Sequence, residues 1–291
     1  MLALAYGGAV IAAGLNASSS VLQRLATEKP EARRLFSKSF FLEIVKTKLF
    51  ILGFIAQTIG FIAQAIALAN GPLIIVEPLL TSDLVFLLLI IHWRLKINIR
   101  LRDWLSVGLI ALGLGGLFSA MNPKSGNLLN YHAFPWIMLV SLLGTIIIIL
   151  AIIIRKLKSP LLRAVLASIA AGGAFALNAA FTKLALNLYR SHGVIAVIDQ
   201  WPLYALIVSG AISIYLMLNA FASGPLGVSQ PVMEVTEPTI AVLIGLFIFG
   251  DSYSTSISSL AFGSVCIIIL ISGIALLGNS PRIHQAGEQG Y

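Results

Sequence analysis

The chain has a single cysteine, Cys266, in 291 residues. An intrachain disulfide is therefore excluded, and no Cys-x-x-Cys redox or zinc spacing can exist. Charge is scarce too: Asp, Glu, Lys and Arg together make 10% of the residues, against about 25% in a soluble domain. There is no Gly-rich phosphate loop, no nucleophile with a base at catalytic spacing, and no metal-ligand spacing. These absences argue against an enzyme and against a nucleotide-driven pump, and they imply no cofactor. Acids are outnumbered, 11 to 19, for a net charge of +8. Such an excess can mark nucleic-acid binding. Here the basic residues sit in short loops between apolar runs, where orientation in a membrane uses them, so no nucleic-acid partner is expected.

What is abundant is hydrocarbon. Hydrophobic residues make 58% of the chain, with a mean hydropathy of +0.98. Nine apolar runs, at about 2–22, 48–69, 72–93, 104–120, 135–155, 161–187, 201–222, 226–249 and 256–277, approach or exceed the length needed to cross roughly 30 Å of hydrocarbon. The shortest, 104–120, carries Gly108, Gly113, Gly115 and Gly116, which suit close helix contact. Residues 24–48 hold seven Lys/Arg and three Glu and do not read as a span. Within them Leu35, Phe36, Phe40, Phe41 and Leu42 can form a short helix lying on the membrane surface. The run 2–22 is expected to be a retained helix, not a signal peptide, because its first positive charge, Arg24, follows it. The segment 278–291 is a polar tail.

Basic loops alternate with poor ones. Assigning 24–48, 94–103, 155–163 and the tail to the cytoplasm places 16 of the 19 basic residues inside, leaving Lys124, Lys183 and Arg190. The expectation is a plasma- or inner-membrane protein with its N-terminus outside and its C-terminus in the cytoplasm.

The chain also repeats itself. Gly71-Pro-Leu-Ile-Ile-Val-Glu-Pro78 and Gly224-Pro-Leu-Gly-Val-Ser-Gln-Pro231 share four of eight positions at an offset of 153. Gly8, Ala12, Asn16 and Ser20 form a stripe at spacing four, and Ala170, Ala174, Asn178 and Thr182 form another at an offset of 162. The resulting fold class is all-α and polytopic. Nine transmembrane helices make two four-helix repeats, 1–120 and 160–277, joined by a linker helix at 135–155. Four helices plus one linker start the second copy on the opposite side of the membrane, so the repeats are inverted. The same stripes are also the ordinary signature of helix packing.

Ionisable groups inside a membrane segment are costly, at least about 2.5–3.5 kcal/mol at a helix centre, and are functional candidates for that reason. Asp83 is the twelfth residue of the third run, and Glu234 the ninth of the eighth, both near mid-depth. Glu237 shares the face of Glu234. Pro238 cannot donate to the carbonyl of Glu234, and Pro231 likewise frees that of Gly227. Two carboxyls so close titrate as a pair, and a shared proton that a cation displaces would couple the two. The bland alternative is that these acids glue neighbouring helices together. Asn16, Asn178, Gln57 and Gln64 are further candidates for a substrate path, and Glu77 lies nearer the outer surface. Lys183, near the outer end of its helix, either snorkels to the interface or pairs with an acid.

The residues 67–79, Ala-Leu-Ala-Asn-Gly-Pro-Leu-Ile-Ile-Val-Glu-Pro-Leu, resemble a signature of the drug/metabolite transporter superfamily and its EamA-like permeases. So do Trp104-Leu-Ser-Val-Gly-Leu-Ile-Ala-Leu-Gly113 and the segment from Asn219 to Pro231. Members commonly have ten helices. The nine-helix plan with a basic loop after the first is similar to magnesium transporters of the NIPA type. The resemblance implies a secondary transporter. The expected activity is proton-coupled export of a small organic or cationic metabolite or drug. The alternatives are a magnesium or divalent-cation transporter, with Asp83, Glu234 and Glu237 as oxygen ligands, and a non-transporting membrane subunit. The expected partners are the substrate, protons as coupling ion and the lipid bilayer; a homodimer is left open.

Overall fold

The structure, a computed structural model, describes residues 2–27, 36–70, 79–80, 82–95, 100–121, 133–250 and 256–278. The helices, in chain order, are α1 (Leu2–Ala26), α2 (Lys38–Val45), α3 (Lys48–Asn70), α4 (Asp83–Leu95) and α5 (Leu101–Met121). They continue with α6 (Ala133–Lys156), α7 (Pro160–Asp199), α8 (Trp201–Ser223), α9 (Leu226–Ile244) and α10 (Ile257–Gly278). No strand occurs among the described residues. Segments of α3, α6, α7, α8, α9 and α10 are long and apolar enough to cross a membrane, six in all among the described residues. The chain is an all-helical, multi-pass membrane protein. Two further apolar runs, 2–22 and 104–120, lie in α1 and α5, helices of 25 and 21 residues. The Gly-Pro-Leu element at 71–78, with Glu77, falls outside the described residues, as does the tail beyond Gly278.

The helices begin where short polar side chains stop the chain from continuing straight. Ser37 caps α2 by accepting from Phe40 N at 3.3 Å, and Ser256 caps α10 through Ser259 N at 3.2 Å. Ser159 caps α7, with Pro160 in the first turn, where its missing N–H costs nothing. Asp103 accepts from Arg100 N at 3.1 Å and closes the first turn of α5. The short helix expected between runs one and two is present as α2, and it buries Phe40 and Ile44 while leaving Leu42 exposed.

Two boundaries differ from the sequence reading, and a further run ends where expected but in an unexpected kind of turn. The third run is not one unbroken helix: the chain turns at Ser82, and α4 starts at Asp83. The Ser82 hydroxyl and N–H both bond Leu79 O, at 2.6 and 3.1 Å. Its carbonyl accepts from Val85 and Phe86 N, so Ser82 works as a helix cap. The sixth run is longer than expected, because α7 continues to Asp199 through a break at Gly193 (φ 80°, ψ −175°), a backbone region open only to glycine. The eighth run ends in a π-helical turn, Gly245–Phe249, stopped by Gly250 in the left-handed region at φ 63°.

The chain divides into two compact units. The first comprises Met1–Asn122, Phe221–Pro231 and Ser254–Tyr291. Within it α1 packs on α3 and α4, and α5 packs on α10. Small residues let these backbones approach: a Cβ at Gly113 of α5 would stand 2.7 Å from Leu270 Cβ of α10. The second unit comprises Pro123–Ala220 and Val232–Tyr253, and there α6 packs on α7. Its core gathers Trp136, Leu143, Phe181, Leu184, Ile248 and Phe249.

Candidate functional site

In the first unit, the stripe of α1 faces α3. Gly8 lies against Ala63 and Ala67, and Asn16 against Gly60, where a Cβ would meet Asn16 Oδ1 at 2.6 Å. Two turns further along, Gln23 is only 1% exposed. Its amide donates to Ser19 Oγ at 2.9 Å and to Gln57 Oε1 at 3.0 Å. Gln57 is therefore held across the α1–α3 seam, while Gln64 is half-buried on the same helix. Gln23 Oε1 has no hydrogen-bond partner among the described residues. Next to it, Arg24 is not a loop residue, as its charge implied. It sits 7% exposed in the last turn of α1 and donates to Phe221 O, a carbonyl in the last turn of α8. A cation there satisfies a carbonyl that the helix end leaves without an intrahelical donor.

Asp83 is also in this unit, 3% exposed. Its place in the first turn of α4 sets its carboxyl at the positive end of the helix dipole. It is thus a buried acid at a helix start, not at the middle of a membrane-length helix as the apolar pattern implied.

In the second unit, Asn178 of α7 donates to Leu206 O and to Ser209 Oγ of α8, both at 2.9 Å. Gly210 makes room for it: a Cβ there would lie 3.2 Å from Asn178 Nδ2. Asn178 thus ties α7 to α8. Glu234 and Glu237 are half-buried on α9, one turn apart. At Gly172 the backbone of α7 comes so close to α9 that a Cβ would meet Thr236 Cβ at 2.8 Å and Glu237 N at 3.2 Å. Thr236 and Thr239 turn their hydroxyls back onto Val232 O and Val235 O at 2.7 Å, as threonines in membrane helices do.

Lys183 places its ammonium 4.2 Å from the centre of the Phe249 ring. Phe249 in turn meets Trp136 edge-on at 5.7 Å, and Trp136 meets Phe181 and Trp201 at 5.1 and 5.9 Å. This aromatic cluster did not show in the sequence reading, since its members come from four separate apolar runs. The π turn is the device that delivers Phe249 to it. Tyr215 and Asn219 share a face of α8, where Asn219 donates to Tyr215 O at 2.7 Å. Among the described residues no group of three or more His, Cys, Asp and Glu converges as a metal site.

The candidates therefore fall into two sets. Asn16, Gln57, Gln64 and Asp83 belong to the first unit, and Asn178, Glu234 and Glu237 to the second.

The chain is similar to an uncharacterized protein of Corynebacterium glutamicum, 24% identical over 261 residues, an alignment that covers 88% of each chain. No family model matches the chain, and no solved structure does.

Proposed function

We propose that the chain is a secondary transporter of the drug/metabolite type that exchanges protons for a small organic or other cationic substrate in the cell membrane. The observation that carries this reading is the acid pair of α9. Glu234 and Glu237 share a face of a membrane-length helix, half-buried, between Pro231 and Pro238. Their spacing lets the pair bind a proton or a cation but not two like charges cheaply.

Two further facts support a duplicated, inverted architecture of nine spans. In each half an asparagine of the first stripe helix lies against a glycine of a later helix, Asn16 with Gly60 and Asn178 with Gly210. Arg24 bonds Phe221 O, and in a nine-span arrangement with the basic loop 24–48 in the cytoplasm the helix count brings the end of the seventh span to that same side.

The test is flux in proteoliposomes under an imposed pH gradient, with organic cations and magnesium compared in parallel. Glu234→Gln and Glu237→Gln keep shape and hydrogen bonding and remove the titratable group. At least one is expected to abolish gradient-driven flux while the protein still inserts, and Asp83→Asn to impair flux of either kind of cation. Parental transport by all three variants at every pH would make the acids packing glue. Flux of magnesium alone would favour the divalent-cation alternative.

A further inference from the structure

The second unit contains a cavity of about 290 Å³ between α7 and the start of α8. Ala185, Leu186 and Tyr189 wall it on one side, Val194 and Ile198 on the next, and Leu206 of α8 on the third. The break at Gly193 creates it. Because the chain changes direction there, the residues before and after the break face the same space. Tyr204 of α8 donates to Ile198 O at 3.0 Å and so holds the segment after the break in place.

We propose that this cavity seats one acyl chain of a membrane phospholipid. Its walls are hydrocarbon. The hydroxyl of Thr182, which also lines it, is turned to Asn178 O at 2.9 Å. A charged or hydrogen-bonding ligand would lose its hydration with nothing in return, and a water needs two to four polar partners that these walls do not offer. An acyl chain seated here gains the dispersion contacts that an empty apolar space forfeits. The filling material is at hand. The cavity lies where two membrane-length segments, Pro160–Tyr189 and Trp201–Ser223, come to their ends. Its rim residues Leu186, Tyr189, Val194 and Ile198 are each at least half exposed, which opens it to the surrounding bilayer. The site differs from ordinary lipid contact in having three walls.

The experiment reconstitutes the protein in phosphatidylcholine vesicles that carry a trace of phosphatidylcholine with a diazirine in its acyl chain. Irradiation and peptide mapping by mass spectrometry then give label density. Labelling across 182–206 is expected to exceed, several-fold, that on the exposed face of α6 around Ile148, Ile149 and Ile152. Ala185→Phe, which fills the cavity, is expected to lower the first to the level of the second and leave α6 unchanged. Leu203→Trp, at a second residue of α8 that lines the cavity, does the same if Ala185→Phe does not fold. Equal label density on both faces of the parent, or undiminished labelling in a folded cavity-filling variant, would overturn the proposal.

Discussion

The two asparagine seams are built alike and used differently. Asn16 and Asn178 occupy matching places in the two stripes, and each lies against a glycine. Yet Asn178 spends its amide on α8, through Leu206 O and Ser209 Oγ, whereas the half-buried side chain of Asn16 makes no hydrogen bond with a described residue. The first seam is held instead by the neighbouring pair, Gln23 and Gln57. A duplicated motif thus gives one copy that joins helices and one that, among the described residues, does not. A stripe of small and polar residues, read from sequence, cannot say which is which.

The comparison breaks most sharply at the glycines. Gly60→Val is expected to cost about 1–3 kcal/mol, the usual range for overpacking, because its branched Cβ would press on Asn16 Oδ1 and on Leu15 Cβ. Gly210→Val, facing only the tip of Asn178, should cost less; thermal unfolding in detergent orders the two. Next comes Asn178→Ala, expected to lower stability by about 0.6–1.7 kcal/mol, the range for interhelical hydrogen bonds in membranes. Lys183→Met, read by the same melt, should lose about 0.5–1 kcal/mol of cation–π attraction over Phe249. Smallest in stability is Asn16→Ala, within about 0.5 kcal/mol. There the proteoliposome assay should register the larger change, a fall in flux. An Asn16→Ala protein that melts like Asn178→Ala but transports normally would reverse the assignment of the two roles.

Much of the helix inventory was legible because apolar runs of membrane length have few other interpretations. The α2 helix was visible for a similar reason, in Phe40, Phe41 and Leu42 amid charges. Three features were not. Hydropathy passes smoothly from Leu79 and Leu80 to Leu84, so the turn at Ser82 left no trace in it; the cue was a single serine able to cap. Arg24 read as a loop charge, because its partner Phe221 is 197 residues away. The aromatic cluster depends on a π turn, which no periodicity announces. Among the site residues, acidity inside apolar runs singled out Asp83, Glu234 and Glu237, but only the fold shows that the first starts a helix and the others lie within one.

Gly193 carries one further consequence, for length. An unbroken helix from Pro160 to Asp199, 40 residues, would be about 60 Å long at 1.5 Å per residue. That is about twice the hydrocarbon thickness it has to match. The break acts as a ruler's end mark. It stops the crossing after Tyr189, the last residue of the membrane-length segment, and lets the chain reach the start of α8 without extending a bare helix into water.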